Sequence, residues 1–256
     1  MKYTLKKSLG QHFLKDESIA AHIADAILSL EPSQLLEIGP GGGAITKYFI
    51  KHKNIAFKAY DVDEEKIAYL KYHYPESAAS FLLQDILKAS VPFDGSFIIA
   101  GNFPYNISSQ ILFKVLEWKA CVPYVVGMFQ KEVADRVAAK EGSKTYGITS
   151  VLVQAFYDVE LLFNVEPSAF NPPPKVRSAV IKMTRRNDYP AMTDEKDFFL
   201  LVKTAFQQRR KMLRNGLKSL FSQEVLQDPL FEKRAEQLSV KDFAALTFRL
   251  NKSSSS

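Results

Sequence analysis

The sequence predicts an α/β protein in which helices cover a mostly parallel sheet, followed by a small C-terminal all-helical domain. Over the first two-thirds of the chain, short apolar runs typical of strands alternate with amphipathic stretches typical of helices. Strands that alternate with helices form βαβ units, and these units build parallel sheets with helices on both faces. Beyond about residue 187 the strand-like runs stop and only helix-like patterns remain.

The elements of the first domain follow from these runs in chain order. Parallel strands are expected at Gln34–Ile38, Ala56–Val62, Phe81–Leu87, Phe97–Ala100 and Tyr124–Phe129. Helices are expected at Asp16–Leu30, Ala44–His52, Glu64–His73 and Ser108–Trp118. Two later runs lack a long helix between them and predict an antiparallel pair at one edge, Leu161–Val165 and Ala179–Met183. This order is typical of a Rossmann-like domain.

The boundary between the two domains is predicted near residue 186. The segment Arg185–Asp197 is polar and contains Pro190, so we interpret it as a linker. We therefore assign residues 1–186 to the first domain and residues 187–256 to the helical one. The helices expected there are Phe198–Gln208, Lys211–Phe221 and Val240–Leu250.

Composition excludes several classes of protein. At 46% hydrophobic and 24% charged residues, the chain has the composition of an ordinary globular protein. A single cysteine, Cys121, excludes an internal disulfide framework. We find no secretory signal and no apolar run long enough to span a membrane, so we expect a cytoplasmic protein. The four histidines are scattered, and we predict no metal site.

The charge distribution favours a polyanionic partner. The net charge is +6, and from Arg185 to the end there are 14 Lys/Arg against 9 Asp/Glu. Most of the positive excess thus lies in the last quarter of the chain. Such a segment can bind nucleic acid, or it can be a solvated, solubilising surface.

A glycine-rich turn follows the first predicted strand, with glycines at positions 39, 41 and 43. Glycine lets the backbone turn sharply and approach a ligand closely. In open α/β sheets, ligands bind at the carboxyl ends of the strands, where this turn lies. The alternative interpretation is a tight connection between a strand and a helix.

Carboxylates end the next two predicted strands. Asp61 lies 22 residues beyond Gly39, where an acidic side chain can accept both ribose hydroxyls of an adenosyl group. It could instead cap the following helix, but Asp63 suits that position better. Asp85 ends the third strand. Three such strand ends in register predict a nucleoside pocket.

Two residues beside the glycine turn indicate which nucleoside-containing cofactor the pocket would bind. Pro40 separates the turn from the dinucleotide fingerprint. Glu37 would be unfavourable beside a pyrophosphate, but it suits a cationic ligand that lacks phosphate. These residues favour S-adenosylmethionine, which carries a sulfonium and an ammonium group, over NAD.

The most informative stretch is Asn102-Phe103-Pro104-Tyr105, after the fourth predicted strand. It resembles the Asn-Pro-Pro-Tyr type motif of amino-methyltransferases. The amine of adenine is a poor nucleophile, and two acceptors around its hydrogens can aim its lone pair at a methyl group. The Asn102 side-chain oxygen and the Pro104 carbonyl are the expected acceptors, and the Tyr105 ring can stack on the base. The alternative is a polar turn.

Taken together, the chain resembles the KsgA family of small-subunit ribosomal RNA adenine dimethyltransferases. Phe103 stands where that family usually has leucine, a departure we expect to change packing more than chemistry. The resemblance covers nearly the whole chain and is strongest at Lys7–Leu14, Gly101–Ser108, Phe129–Val133, Ser168–Val176, Ala205–Lys211 and Arg234–Ser239.

The resemblance implies a set of cofactor and substrate residues. His12 stands where asparagine is common in that family. Its expected contact with the methionine portion of S-adenosylmethionine is therefore a second departure from the family pattern. Phe170 matches an aromatic residue that stacks on the target base; composition alone would favour a core phenylalanine. The expected cofactor residues are Gln11, His12, Leu14, Gly39, Gly41, Asp61, Asp85, Ile86 and Asn102.

The helical domain is expected to bind RNA. Arg210 and Arg214 are one helical turn apart, so a basic helix face could lie along phosphates, although a solvated face is the alternative. The candidate RNA-binding residues are Lys7, Lys175, Arg177, Arg209, Arg210, Lys211, Arg214 and Lys218.

The implied reaction is transfer of two methyl groups to each of two adjacent adenosines near the 3′ end of 16S ribosomal RNA. The partner would be an assembling small subunit, and we expect a monomer. Two alternatives stay open. One is an adenine methyltransferase of large-subunit ribosomal RNA, and the other is an RNA-binding assembly factor that has lost catalysis.

Overall fold

The computed structural model describes residues 12–251. The chain forms two compact units. The first, called the sheet unit here, contains the residues up to Ala134 together with Asp158–Arg185. The second, called the helical unit, contains Asp135–Tyr157 together with the residues from Arg186 onward.

The described residues form strands and helices in the predicted alternation. The strands are β1 (Phe13–Leu14), β2 (Gln34–Ile38), β3 (Ala56–Asp61), β4 (Phe81–Leu83), β5 (Ile98–Asn102), β6 (Tyr124–Gln130), β7 (Tyr157–Val165), β8 (Phe170–Asn171) and β9 (Ser178–Arg185). The helices are α1 (Glu17–Leu28), α2 (Thr46–Phe49), α3 (Glu64–His73), α4 (Ser108–Glu117), α5 (Lys131–Val137), α6 (Ile148–Gln154), α7 (Glu195–Gln207), α8 (Leu213–Gly216) and α9 (Val240–Thr247).

The main sheet has seven strands in the order β4-β3-β2-β5-β6-β9-β7. Neighbouring strands from β4 to β6 are parallel, and β9 is antiparallel to β6. The two runs predicted at one edge are β7 and β9, which are neighbours there. The predicted α/β fold class is therefore confirmed. Strand order reverses between β2 and β5, and this reversal opens a crevice at their carboxyl ends.

The strands beside this crevice are almost completely buried. Leu35, Leu36 and Ile99 are almost completely inaccessible, as are Val125 and Val126 of β6. Continuous apolar runs of this kind are expected for parallel strands covered on both faces. Each such side chain contributes roughly 1.5–3 kcal/mol through burial, which fixes the strand ends that carry the site.

Helix α3 begins and ends where the sequence predicted. Asp63 is its N-cap and accepts a hydrogen bond from the Glu65 amide at 3.2 Å. Glu64 and Glu65 lie in the first turn and Lys71 in the last, so the charges complement the helix dipole. Because Asp63 caps the helix, the Asp61 side chain is available to bind a ligand in the crevice.

Three predicted elements are clearly shorter in the structure. The helix predicted at Ala44–His52 is limited to Thr46–Phe49. The strand predicted at Phe81–Leu87 ends at Leu83, because the chain turns where Asp85 Oδ1 accepts a hydrogen bond from the Leu87 amide at 2.9 Å. The helix predicted at Lys211–Phe221 is limited to Leu213–Gly216. Asn215 and Gly216 are poor helix formers, which accounts for its early end.

The predicted domain boundary needs one correction. The change of unit after Arg185 lies within one residue of the prediction, but Asp135–Tyr157 belongs to the helical unit rather than to the first domain. Helix α6 carries the buried residues Val151, Leu152 and Val153 and packs with α7 and α9. The Arg186 amide also donates to the Phe156 carbonyl at 2.8 Å. Local patterns cannot reveal such packing between distant segments.

Candidate active site

A cavity of about 490 Å³ opens at the carboxyl ends of β2, β3 and β5 in the sheet unit. Its wall combines the glycine turn, the acidic strand ends and the turn after β5. The predicted site residues that line it are His12, Leu14, Gly39, Gly41, Asp61, Asp85, Asn102, Pro104 and Tyr105. Segments up to 93 residues apart in sequence thus meet around one space.

The glycine turn lies in the left-handed backbone region, with φ of 70° at Gly39 and 55° at Gly41. A β-carbon at Gly39 would lie 3.3 Å from Pro104 Cδ, and one at Gly41 would lie 3.0 Å from Phe13 Cε1. A side chain at either position is therefore disfavoured both by the dihedral angle and by tight contacts that the neighbouring groups would have to relieve. The turn presents bare backbone to the cavity and also contacts the turn that carries Asn102.

The two predicted carboxylates lie in the cavity wall. Asp61 accepts a hydrogen bond from the Asp63 amide at 3.0 Å. Burial raises the pKa of Asp61 above its ordinary value, and hydrogen bonds from backbone amides act in the opposite direction. Asp85 also lines the cavity, whereas Ile86 is buried and does not.

Glu37 is a buried carboxyl at the back of the cavity. Its Oε2 accepts a hydrogen bond from Thr46 Oγ1 at 2.7 Å. Burial raises the pKa of Glu37 to about 8, the Thr46 hydrogen bond lowers it, and the negative charge of Asp61 raises it. A cation in the cavity would favour the ionised form of this side chain, so the site is suited to a positively charged ligand.

Asn102 ends β5, and its side chain is oriented by the backbone of His12, just before β1. Its Nδ2 donates a hydrogen bond to the His12 carbonyl oxygen at 3.2 Å. Because the amide is planar, Oδ1 then points to the opposite side. Asn102 is therefore prepared to accept a hydrogen bond from an amine, which is the role predicted for it.

The Pro104 carbonyl already has partners inside the turn. It accepts hydrogen bonds from Ser108 Oγ at 3.2 Å and from the Ile107 amide at 3.3 Å. Ser108 Oγ lies equally far, 3.2 Å, from the Tyr105 carbonyl. The serine hydroxyl can thus turn to Tyr105 alone and leave room at the Pro104 oxygen for another donor.

Tyr105 is held at both of its ends. Its backbone begins a short 3-10 turn, Tyr105–Ile107, and its hydroxyl lies 2.5 Å from Ser178 Oγ. Burial raises the pKa of Tyr105, so the side chain is a neutral phenol. The His12 ring stacks against it at 5.7 Å between centroids, and His12 Nδ1 donates to the Pro172 carbonyl at 2.9 Å.

Phe170 does not reach the cavity. It pairs with Leu14 in the two-stranded β1–β8 ladder and is only 1% exposed. The residue belongs to the hydrophobic core, as the composition-based alternative held. Burial of its apolar ring in that ladder explains the difference from the stacking role predicted for it.

The prediction of a basic helix face is wrong, because the predicted helix does not extend over these residues. Helix α7 ends at Gln207 and α8 begins at Leu213, so Arg210 and Lys211 lie in the turn between them. Arg210 and Lys211 are exposed, and Lys218 is exposed beyond α8. These cations occupy a turn region of the helical unit rather than one face of a helix.

Several predicted RNA-binding cations have acidic or carbonyl partners. Arg209 donates to the Lys144 carbonyl at 2.6 Å, and Arg214 Nη2 lies 2.7 Å from Glu232 Oε1. In the sheet unit, Arg177 lies 3.8 Å from Glu166, and Lys175 is exposed. Lys7 and Gln11 lie outside the described residues.

Within residues 12–251, no cluster of three or more His, Cys, Asp or Glu side chains is arranged to hold a metal ion. None of the helices in this part of the chain combines the length and apolarity needed to cross a membrane.

Sequence reasoning missed several residues that build the site. Phe13 packs on Gly41, and the Lys66 ammonium lies 4.4 Å from the centre of the Phe13 ring. Thr46 and Ser178 position Glu37 and Tyr105. Phe13 belongs to the Lys7–Leu14 segment that carries the family resemblance. Lys66, Thr46 and Ser178 contact partners that only folding brings close, so no local pattern marks them.

Comparison with known proteins identifies a family that matches this chain. A sequence model of the ribosomal RNA adenine dimethylase family matches residues 2–252. The chain belongs to this family. The predicted family resemblance is confirmed, as are the enzyme class and S-adenosylmethionine as the methyl donor.

Curated relatives of this dimethylase are closely similar over their whole length. The chain is 52% identical to ribosomal RNA small subunit methyltransferase A of Cytophaga hutchinsonii, over 98% of both chains. It is also 52% identical to the protein of the same name from Flavobacterium johnsoniae, over 97% of both chains.

Solved structures give the same fold. A dimethyladenosine transferase from Plasmodium falciparum is 28% identical, with a TM-score of 0.75 over 91% of this dimethylase and 94% of that chain. The 23S rRNA methyltransferase ErmE is 21% identical, with a TM-score of 0.70 over 93% and 99% of the two chains. At that identity, the likeness to ErmE shows the fold alone.

Proposed function

We propose that this enzyme dimethylates two adjacent adenosines near the 3′ end of 16S ribosomal RNA in a precursor of the small ribosomal subunit. The observation that carries this proposal is the orientation of Asn102, whose amide oxygen is directed away from His12 at the mouth of the cavity. The names of the two 52% identical relatives support the small subunit as the target.

The cavity fits S-adenosylmethionine. Gly39 and Gly41 give close access to the backbone, and Asp61 and Asp85 place carboxylates where hydroxyl groups would bind. Glu37 adds a buried carboxyl whose ionisation a cationic ligand favours. When bound, S-adenosylmethionine supplies a methyl group activated by its sulfonium.

Asn102 and Pro104 would hold the amine of the target adenosine. The Asn102 side-chain oxygen and the Pro104 carbonyl each accept one hydrogen of the amine, which directs the nitrogen lone pair toward the methyl carbon. This role would be mainly orientation of two reactants. The N–C bond would form as the C–S bond breaks, and the methylated nitrogen would then release its proton to solvent, so a strong general base is not needed. After the first transfer one N–H remains, and one acceptor is sufficient to align it.

Tyr105 would receive the target base after it leaves its stack. Its ring lines the cavity next to Asn102, and stacking on an aromatic ring contributes roughly 1–3 kcal/mol per base. The sheet unit thus carries catalysis.

The exposed cations of the helical unit, Arg210, Lys211 and Lys218, would contact RNA phosphates. We expect the enzyme to act as a monomer in the cytoplasm.

The test uses small subunits isolated from cells that lack this modification. The enzyme is incubated with methyl-labelled S-adenosylmethionine and these subunits, and the labelled nucleosides are identified after digestion of the RNA. Dimethyladenosine in 16S RNA, absent with Asn102→Ala, is the expected result. Label in large-subunit RNA would overturn the target. No label in either subunit would overturn catalysis and favour an RNA-binding assembly factor.

A further inference from the structure

Ser178 lies outside every motif that the sequence marks, yet it contacts the catalytic turn. It is the first residue of β9, it is completely buried, and its Oγ lies 2.5 Å from the Tyr105 hydroxyl. The two residues are 73 positions apart in sequence. At this distance the two hydroxyl groups form a short, part-buried hydrogen bond.

The backbone of Ser178 is fixed from both sides. Ser178 pairs with Gln130 in the antiparallel β6–β9 ladder. The carbonyl of the preceding residue, Arg177, accepts a hydrogen bond from the Lys131 amide at 2.9 Å. The Ser178 hydroxyl is therefore attached to the rigid sheet.

Tyr105 has a weaker local support. It lies on one 3-10 turn after Pro104, which does not fix its first side-chain torsion, and its ring stacks against His12. A hydrogen bond at the hydroxyl, the far end of the ring, removes this freedom. Burial raises the pKa of Tyr105, which keeps the hydroxyl protonated for this bond.

Strand β6, which pairs with Ser178, also sets the position of Asn102. In the β5–β6 ladder Asn102 pairs with Met128, and in the β6–β9 ladder Ser178 pairs with Gln130, two residues further along. Strand β6 thus holds both the amine acceptor and the anchor of the tyrosine ring. The distance between them is fixed by backbone pairing rather than by flexible side chains.

We propose that Ser178 is a positioning residue that holds the Tyr105 ring at the angle at which it receives the target adenine. This inference rests on the role proposed for Tyr105. Ser178 is not among the residues that line the cavity, so it would act on the rate of methyl transfer through Tyr105 and leave cofactor binding unchanged.

A double-mutant cycle tests this inference. Ser178→Ala and Tyr105→Phe each remove the same hydrogen bond, and the two substitutions are combined in a third protein. Their kcat and KM for undermethylated small subunits, the Kd for S-adenosylmethionine and the thermal unfolding curve are measured. Ser178→Thr, which keeps a hydroxyl and suits a strand, is the matched control.

Each single variant is expected to lower kcat by roughly 3- to 10-fold, the range for loss of one hydrogen bond. The double variant should be no slower than the slower single one, and Ser178→Thr should recover most of the rate. The Kd for S-adenosylmethionine should stay at the wild-type value. A merely structural role of Ser178 would lower the unfolding temperature without this coupling to Tyr105.

Two results would overturn the inference: wild-type kcat in Ser178→Ala, or losses that multiply in the double variant. If Ser178→Ala does not fold, Tyr105→Phe is the deciding variant, because it removes the same hydrogen bond and leaves Ser178 in place. A wild-type kcat in Tyr105→Phe would then refute the positioning role of Ser178. Tyr105→Ala tests the proposed function separately. Full activity of Tyr105→Ala refutes the role of Tyr105, whereas an inactive Tyr105→Ala beside a fully active Ser178→Ala refutes only the positioning role.

Discussion

The ring of Phe103 lies directly on Gly127, where a β-carbon would come within 2.0 Å of Phe103 Cε2. Gly127 lies in β6, and Phe103 is almost completely buried and contacts the Phe129 ring at 4.8 Å between centroids. Leucine is usual at position 103 in the family that the sequence resembles. The absence of a side chain at 127 therefore provides the space for the larger phenylalanine within the catalytic motif.

Gly127→Ala is expected to destabilise the protein by at least roughly 1–3 kcal/mol, because the ring has to move or the strand has to shift. Urea unfolding measures this change in the free energy of unfolding. The additional substitution Phe103→Leu should recover part of the loss. Gly216→Ala is the control, since its β-carbon would meet Gln208 Cβ at an ordinary 3.6 Å. Equal stability of Gly127→Ala and wild type would contradict the prediction.

Gly41→Ala should weaken binding of S-adenosylmethionine by at least about 10-fold. The alanine would need φ near 55° and would place its β-carbon 3.0 Å from Phe13 Cε1, so the turn or the Phe13 ring, both in the cavity wall, would have to shift. Calorimetric titration measures the Kd. Gly95→Ala is the matched control, because it has φ of 92° with no atom within 4 Å of its β-carbon. It should lose stability but bind the cofactor normally, and the same Kd in both variants would refute the prediction.

Glu37 should make stability depend on pH. Its pKa is about 8 in the folded protein against an ordinary 4.5, so the folded state binds this proton more tightly than the unfolded chain does. Its contribution to stability is fully present below about pH 4.5 and is lost as the pH rises to about 8. Glu37→Gln keeps an acceptor for Thr46 but does not titrate. Relative to wild type, this variant should gain on the order of a few kcal/mol in free energy of unfolding between about pH 5 and pH 8.

The measurement is urea unfolding of wild type and Glu37→Gln, without cofactor, at several pH values across that window. Thr46→Val serves as a comparison, because it removes the hydrogen bond that lowers the pKa of Glu37. A stability difference between wild type and Glu37→Gln that does not vary with pH would show that Glu37 does not titrate in this range.

The turn between α7 and α8 should contribute more to RNA binding than Arg214 does. Arg210 and Lys211 are exposed there, whereas Arg214 is 2.7 Å from Glu232. Arg210→Ala and Lys211→Ala should each lower the slope of log affinity against log salt by about 1. Arg214→Ala should have a smaller effect, and the small subunit is the ligand in these titrations. A larger loss with Arg214→Ala than with Arg210→Ala would overturn this ranking.

Local sequence patterns predicted the elements that local interactions determine. Strand β2 and helix α3 have the predicted bounds because their apolar periodicity and their caps are adjacent in sequence. The assignment of Asp63 to the helix and of Asp61 to the cavity followed from the same reasoning. The glycine turn and Asn102 could likewise be found, because their chemistry is carried by consecutive residues.

Other parts of the site depend on contacts between distant residues. The bond between Tyr105 and Ser178 spans 73 positions, and the one between Asn102 and His12 spans 90. Phe170 could not be assigned from its own segment either, since its burial depends on pairing of β8 with β1. Motifs locate the chemistry, whereas the residues that orient it become visible only in three dimensions.

The helical unit has to be assembled from two pieces of chain that are synthesised at different times. Helix α6 leaves the ribosome before β7 and β9, and its buried residues Val151, Leu152 and Val153 find α7 and α9 only after residue 195 has followed. At about 5–20 residues per second, completion of α9 takes roughly 5–20 s more. After β9 has been synthesised and before α9 follows, a nascent chain with all strands of its sheet still carries the apolar face of α6 without its partners, which is a surface that proteases can recognise.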